Sequence, residues 1–176
     1  MNTTILDEVL TQDTLNQLYI ELTNSQMWTI GRSSVKSNYK TFPGHVIKEE
    51  TGEIVNGQLY GFFKGITEML RIRCKHEYNI DLPKHILRMH LGAKNHKSFT
   101  KFHTDTSKSG VSIVGFLTPE WKPEWEGQLK VENNTIDYEP GRFVIFDTYR
   151  QHDGNGPSED CHLWRISINI ILTHES

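Results

Sequence analysis

Residues 163–172 read LWRISINIIL. Because successive side chains of a β-strand point to opposite faces, this segment has one wholly apolar face. That face consists of Trp164, Ile166, Ile168, Ile170 and Leu172, and the opposite face carries Arg165, Ser167, Asn169 and then Ile171. The pattern predicts a strand whose apolar face packs against a large element such as helices. The polar face has two interpretations: it contacts water at the surface, or it lines the interior of a barrel that holds a charged ligand.

Short strand-like segments precede this strand. They cover residues 86–91, 98–103, 111–117, 128–132, 135–138 and 142–146, with Gly, Pro and Asn residues between them. Two helices are predicted before these strands, one around Leu15, Leu18, Tyr19 and Leu22 and one over about 59–76. Helices first and strands later predict a mostly β fold, in which N-terminal helices support a jelly-roll core.

The length of 176 residues fits one domain. We predict a single domain with helical support over about 1–80 and the jelly roll over about 81–176. The polar stretch 31–57 between the helices is expected to form one or two edge strands and a loop. Within it, residues 33–40 are either a lid over a site or an ordinary surface loop.

Composition narrows the functional classes. Hydrophobic residues make up 36% and charged residues 23%, which is enough for a real core. The net charge of −3, from 19 basic and 22 acidic residues, disfavours a dedicated nucleic-acid binder. Short apolar runs predict no membrane span, and the N-terminal residues do not resemble a signal peptide. Two cysteines, Cys74 and Cys161, make no disulfide framework, so we expect a cytoplasmic protein whose oligomeric state stays open.

One group of residues predicts a metal centre. His103-Thr104-Asp105 places an imidazole and a carboxylate on the same side of an extended chain. His152, in a loop rich in Gly and Asp, can supply a third ligand from a distant segment. Alone, the His-x-Asp spacing arises by chance and a loop histidine is usually solvated. Together, two histidines and one carboxylate leave coordination positions open and suit Fe(II), whereas a structural zinc site would be closed, typically by thiolates.

A candidate anion site lies on the polar face of the last strand. Arg165 and Ser167 point the same way, and a guanidinium pairs with a carboxylate through two parallel hydrogen bonds. The alternative is that Arg165 forms a structural ion pair with one of the acidic residues. The order His-x-Asp, His, Arg along successive segments favours the binding role.

The stretch 101–172 resembles the catalytic core of the Fe(II)/2-oxoglutarate-dependent oxygenases and is most similar to the prolyl 4-hydroxylase-like branch. The matching pieces are FHTD (102–105), VSIVGFLT (111–118) leading to Trp121, WEGQL (125–129), PGRFVIFD (140–147) before His152, and WRIS (164–167). The resemblance implies a double-stranded β-helix with iron on His103, Asp105 and His152. It also implies that Arg165, helped by Ser167, binds the distal carboxylate of 2-oxoglutarate. The implied cofactors are Fe(II), 2-oxoglutarate as cosubstrate and O2, with ascorbate as an optional addition.

The chain departs from that branch at two places. The branch often has a tyrosine upstream of the His-x-Asp, where this chain reads RMHLG over 88–92, with His90 as one candidate replacement. It also commonly has Gly-Gly after the tryptophan, where this chain has Gly127-Gln128. Neither departure affects the metal ligands or Arg165, so the iron and the cosubstrate are better defined than the substrate.

The implied activity is hydroxylation of a C–H bond, with succinate and CO2 as coproducts, in the manner of a prolyl hydroxylase acting on a peptide or protein. The alternatives are hydroxylation of a free amino acid or other small molecule, and a cupin-like protein that binds metal without catalysis. Trp121, Pro123 and Trp125 either line a substrate groove or close one end of the barrel. Tyr149 and Arg150 are candidates to face the substrate, whereas His162 lies on the wrong strand face to be a ligand.

Overall fold

The computed structural model describes residues 2–30, 42–96, 98 and 100–174. The helices are α1 (Gln12–Thr23) and α2 (Gly57–Tyr78), and a short 3-10 turn covers Pro123–Trp125. The strands are β1 (Thr4–Leu6), β2 (Thr29–Ile30), β3 (Pro43–Lys48), β4 (His85–Lys94), β5 (Gly110–Phe116), β6 (Leu129–Val131), β7 (Asn134–Ile136), β8 (Phe143–Asp147), β9 (His152–Gly154) and β10 (Arg165–Thr173). Among the described residues, no helix is both long and apolar enough to cross a bilayer.

The strands form two antiparallel sheets. The larger has the order β1-β8-β5-β10-β4-β3-β2, and the smaller has the order β7-β6-β9. Strand β10 lies between β5 and β4, and its register places Arg165 opposite Lys94 and Ser167 opposite Phe116. Every neighbouring pair in both sheets is antiparallel. Because β10 is paired on both edges, its polar side chains can point only to one of the two faces of the sheet.

The apolar face of β10 packs against the helices, as the alternation predicted. Ile166, Ile168, Ile170 and Leu172 are buried in one core with helix residues that include Leu15, Leu18, Leu22, Phe63 and Leu70. The leucines of α1 and the buried residues of α2 recur at helical spacing and so lie on one side of each helix. Trp164 is the exception, because it precedes the strand and remains 38% exposed.

A second core joins the two sheets. Val114, Phe116, Val144 and Phe146 of the large sheet pack against Leu129, Val131 and Ile136 of the small sheet. These large-sheet residues alternate with neighbours such as Ile113 and Ile145, which face the helices. Two facing antiparallel sheets with helices on one outer side make a mostly β, jelly-roll-like fold.

Capping residues set the limits of both helices. The Thr11 side chain accepts a hydrogen bond from the Thr14 N–H at the start of α1, and Asn56 accepts one from Leu59 at the start of α2. Helix α2 ends at Asn79, which adopts the left-handed conformation at φ 54°. The two predicted helices are therefore present, somewhat longer than the sequence patterns indicated.

Three expectations about secondary structure need correction or fall outside the described chain. Residues 98–103 are not a strand where the structure describes them: only His103 pairs, through an isolated bridge to His152. Residue 152 begins strand β9 and is not in a loop. A strand expected within 31–57 is present as β3, and the N-terminal part also supplies β1 and β2. The candidate lid at 33–40 lies outside the described residues.

Gly115, in the middle of β5, tests how tightly the helix-side core is packed. A Cβ there would lie 2.4 Å from Phe143 Cε1 and 2.8 Å from Ile168 Cγ2, and both of these side chains are buried. We expect Gly115→Ala to lower the free energy of unfolding by about 1–3 kcal/mol through overpacking. Gly61→Ala, on an exposed side of α2 with open space around it, should instead raise it by about 0.5–1 kcal/mol. Urea unfolding of both variants measures the difference, and equal stability would contradict the packing argument.

Candidate active site

His103, Asp105 and His152 converge at one point. Their ligand atoms all lie within 4.8 Å of one another. A pair of backbone hydrogen bonds joins the two histidines: His103 N donates to His152 O at 3.1 Å, and His152 N donates to His103 O at 2.9 Å. The imidazole rings lie side by side with centroids 4.4 Å apart. The bridge between distant segments therefore brings the third group to the His-x-Asp pair.

Backbone carbonyls orient both imidazoles. His103 Nδ1 lies 2.9 Å from Lys101 O, and His152 Nδ1 lies 3.1 Å from Arg150 O. Since a carbonyl oxygen can only accept, each Nδ1 carries the proton and each Nε2 keeps its lone pair. His152 Nε2 faces Asp105 Oδ2 at 3.4 Å. This is the arrangement by which protein metal sites fix the tautomer of a histidine ligand.

Three polar side chains hold the Asp105 carboxylate. The Ser112 hydroxyl donates to Oδ2 at 2.6 Å, Asn169 Nδ2 donates to Oδ1 at 3.2 Å, and Arg88 Nη2 lies 3.4 Å from Oδ1. Burial acts to raise the pKa of the Asp105 carboxyl, but the surrounding imidazole, hydroxyl and guanidinium groups hold that pKa below its ordinary value. The carboxylate is thus kept ionised and fixed in orientation.

Burial favours the neutral forms of His152 and His90. Burial lowers the pKa of His152 below its ordinary value. Burial, followed by the nearby Arg88, lowers the pKa of His90 to about 4. A neutral imidazole is the form that binds a metal ion. Two imidazoles and one carboxylate therefore present a donor set that fits Fe(II) and leaves coordination positions for other ligands.

Arg165 is buried next to this cluster and is only 2% exposed. Its Nε donates to Gly127 O at 2.7 Å, and its guanidinium lies over the rings of Tyr138 and Phe116, at 5.0 Å and 5.4 Å. Its Nη2 is buried without a hydrogen-bond partner. A buried donor without an acceptor is costly, and a carboxylate is the acceptor that a guanidinium pairs with best. The orphaned Nη2 therefore fits a carboxylate ligand.

A cavity of about 100 Å³ connects the His-Asp-His cluster to the arginine. Both histidines of the cluster line it, as do Arg165 and Ser167 from β10. The other lining residues are Phe42, His90, Leu91, Gly92, Lys94, Thr100, Val114, Leu129, Gly154 and Asn169. The polar face of β10 thus lines an interior cavity, which decides between the two interpretations of that face. The cavity joins a metal-binding donor set to a buried cation.

Every residue that the sequence singled out for the centre is brought together here, but sequence reasoning missed several supporting residues. Ser112, Asn169 and Arg88 hold Asp105, and Lys94 lies on the cavity wall. The signal for Lys94 was available, since it continues the alternation of His90 and Gly92 along β4. Partners of Asp105 come from distant strands and leave no such local signal.

The structure also shows the positions of the residues that the sequence analysis considered for contact with the substrate. Trp125 is buried, and Trp121 donates from Nε1 to Glu126 O while packing on Tyr138 at 4.1 Å. Both tryptophans therefore pack against the protein, and neither lines the cavity between the cluster and Arg165. Arg150 forms an ion pair with Glu132 and Tyr149 is 67% exposed, so neither lines the cavity between the cluster and Arg165.

His162 takes no part in the metal cluster. Its ring packs edge-on against Trp125, with centroids 5.3 Å apart. Within the described parts of the chain, His103, Asp105 and His152 form the only group of three such side chains close enough to hold a metal ion. The exclusion of His162 as a ligand therefore agrees with the geometry.

Among the comparisons with known proteins, the one with solved structures found similar chains. No protein-family model and no curated protein matches the sequence. A Pseudomonas putida prolyl-4-hydroxylase superimposes with a TM-score of 0.71 at 16% identity, over 97% of this chain and 92% of that one. A Trichoplax adhaerens prolyl hydroxylase, in complex with a hypoxia inducible factor peptide fragment, gives 0.71 at 17% identity, over 98% and 84%. An oxidoreductase of the 2OG-Fe(II) oxygenase family from Burkholderia pseudomallei gives 0.70 at 12% identity, over 98% and 86%.

At these identities the likeness establishes the fold. It extends over almost the whole chain, whereas the resemblance in the sequence was confined to residues 101–172. The similarity that the sequence indicated is thereby confirmed for the fold. The chain therefore shares its fold with two prolyl hydroxylases and with an oxidoreductase of the 2OG-Fe(II) oxygenase family.

Proposed function

We propose that this chain is an Fe(II)- and 2-oxoglutarate-dependent dioxygenase that hydroxylates a C–H bond, as a single domain with a double-stranded β-helix core. One observation carries the proposal: a single cavity joins the His103, Asp105 and His152 cluster to the unpartnered Nη2 of Arg165. A metal-binding protein without oxygenase chemistry has little use for a buried cation beside its metal ligands. An enzyme that binds a diacid to its metal needs both.

The residues that would hold the iron are His103, Asp105 and His152. When bound, Fe(II) would activate O2 for the decarboxylation of 2-oxoglutarate to succinate and CO2 and for the coupled hydroxylation of substrate. Arg165, with Ser167 beside it, would bind the distal carboxylate of the cosubstrate.

The chain itself contributes orientation and exclusion of water. The carbonyls of Lys101 and Arg150 keep each histidine proton on Nδ1, so that Nε2 stays free for the metal. Gly127 O and the Tyr138 ring fix the plane of the guanidinium before any ligand arrives. Because Arg165 is buried, its charge acts in a medium of low dielectric and attracts a carboxylate more strongly than it would in water. A fixed, desolvated arginine favours one orientation of the cosubstrate.

For the substrate, we infer a peptide or protein that contains proline. The support is the Trichoplax adhaerens relative, whose structure holds a peptide fragment and whose fold this chain shares. The exposed Phe102 lies directly before His103 in the sequence and lines a surface depression with Tyr149 and Asn133. Exposed aromatic side chains next to an active site are well suited to bind a peptide.

The proposal is tested by incubating the protein with Fe(II), 2-oxoglutarate and ascorbate in air and measuring succinate. A library of proline-containing peptides is added, and each peptide is analysed by mass spectrometry for the gain of one oxygen atom. We expect succinate formation to depend on both Fe(II) and 2-oxoglutarate and to rise with a peptide that gains oxygen. Oxygen gain by a free amino acid instead would move the substrate class to small molecules. Absence of 2-oxoglutarate binding and turnover would refute the enzyme and favour a cupin-like metal-binding protein.

A further inference from the structure

A second buried cation lies beside Arg165. The register of the β10–β4 pair places Lys94 directly opposite Arg165, so both side chains leave the sheet on the cavity side. Lys94 is only 7% exposed and Arg165 only 2%. Lysine is rarely buried unless its charge has a partner, so the position of Lys94 calls for an explanation.

The hydrogen bonds of the two cations go to uncharged oxygens. Lys94 Nζ donates to Gly154 O and, at 3.2 Å, to Thr100 Oγ1, while Arg165 Nε donates to Gly127 O. One acidic residue, Asp153, is close enough to favour the charged forms of both, and its carboxylate accepts a hydrogen bond from Thr100. Two cations therefore face one carboxylate, which leaves an excess positive charge in a buried place.

Both cations border the same small space. A Cβ on Gly154 would lie 3.5 Å from Arg165 Nη2 and 3.7 Å from Lys94 Nζ. Glycine leaves this space open, and the unpartnered Nη2 of Arg165 borders it. An anion with one oxygen near Arg165 Nη2 and another near Lys94 Nζ would accept hydrogen bonds from both nitrogens at once.

We propose that Lys94 acts with Arg165 as a second cation for the distal carboxylate of the 2-oxo diacid, and that the pair selects against 2-oxo acids without that carboxylate. This inference rests on the proposed function. It also assigns the cosubstrate contact upstream of His103 to Lys94 rather than to His90. The charged groups that act on His90 are instead Arg88 and the cluster around Asp105.

The protonation of Lys94 supports the same conclusion. Burial, and then repulsion from Arg165, lower the pKa of Lys94 to about 7 when no anion is present. The charged groups that face it are Arg165 from β10 and Asp153 from β9. A bound carboxylate would raise this pKa again, so diacid binding near pH 8 should take up a proton at Lys94. At pH 6 the ammonium is already protonated and the uptake should be small.

Binding without turnover provides the test. The wild-type protein and Lys94→Met are loaded with Mn(II), and calorimetry measures the affinity for 2-oxoglutarate and for 2-oxopentanoate, which has the same chain length without the distal carboxylate. Methionine keeps the length of the side chain and removes its charge. We expect the 2-oxoglutarate affinity of Lys94→Met to fall by about 10–100-fold, as for the loss of one charge-assisted contact, with 2-oxopentanoate affinity nearly unchanged.

Two further variants complete the design. Lys64→Met, which removes an exposed ammonium group on α2 away from the site, should bind both ligands like the wild type. Lys94→Arg keeps a charge and should recover much of the 2-oxoglutarate affinity. If Lys94→Met does not fold, the wild type alone decides through proton uptake, measured from the binding enthalpy in buffers of different ionisation heat.

The outcomes separate the two proposals. Equal losses for both ligands in Lys94→Met, or no loss for either, would refute the role of Lys94, as would the absence of proton uptake by the wild type at pH 8. In these cases the wild type still binds 2-oxoglutarate and the proposed function stands. If the Mn(II)-loaded wild type does not bind 2-oxoglutarate at all, the proposed function itself fails.

Discussion

Asp105→Ala is expected to reduce 2-oxoglutarate-dependent succinate formation to background. The variant removes the one carboxylate of the His-Asp-His cluster and leaves only two imidazoles, which bind a divalent ion far more weakly. It also leaves Ser112 and Asn169 without their acceptor, so the remaining groups lose their alignment. His103→Ala should have the same effect on activity.

Bound iron per chain, measured beside succinate formation, checks the cause of the loss. Both quantities should fall together in Asp105→Ala, and the circular dichroism spectrum should remain that of the folded protein. Asp160→Ala, which removes an exposed carboxylate outside the site, should keep full iron content and activity. A folded Asp105→Ala variant that keeps bound iron and forms succinate would rule out Asp105 as a ligand.

Arg165→Met should raise the 2-oxoglutarate concentration needed for half-maximal rate by about 100-fold or more, because it removes two parallel hydrogen bonds to the carboxylate, each of which contributes about 1.5–3 kcal/mol. The methionine can still pack against Tyr138 and Phe116, so the core beneath the site keeps most of its contacts. The iron requirement should change little, since Arg165 is not one of the three side chains that could hold the metal. Succinate formation at varied Fe(II) and varied 2-oxoglutarate separates the two requirements.

The comparison with another arginine strengthens this prediction. Arg142 pairs with Asp7 at the surface, and Arg142→Met should leave both requirements close to those of the wild type. Arg165→Lys keeps the charge and loses the planar fork, so its requirement for 2-oxoglutarate should lie between those of the wild type and Arg165→Met. Equal increases in both requirements for Arg165→Met would instead assign Arg165 a structural role.

Features that follow from the spacing of side chains within one helix or strand could be predicted from the sequence. The two faces of β10 follow from the strand period alone, and the structure places the isoleucines against the helices and Arg165 on the cavity side. The two helices likewise follow from apolar spacing. The same rule would have located Lys94, two residues beyond Gly92 on the same face of β4.

Features that depend on pairing between distant segments were not predictable in detail. The segment 98–103 reads as a strand by composition, yet among its described residues only His103 finds a partner, across the isolated bridge to His152. Strand β9 has only three residues, among them Gly154, and becomes a strand through its partner β6. The contact of Trp121 with Tyr138, which lie far apart in the sequence, could likewise not be predicted.

The sequence by itself determined the mostly β character, the two faces of the last strand, and the residue types that can bind a metal and a diacid. The tertiary structure alone decided that these residues share one cavity, that Asp105 is held by Ser112 and Asn169, and that Lys94 lies beside Arg165. The reason is physical: the direction of a side chain follows from the period of its own strand, whereas its neighbours depend on the register with strands far away in the sequence.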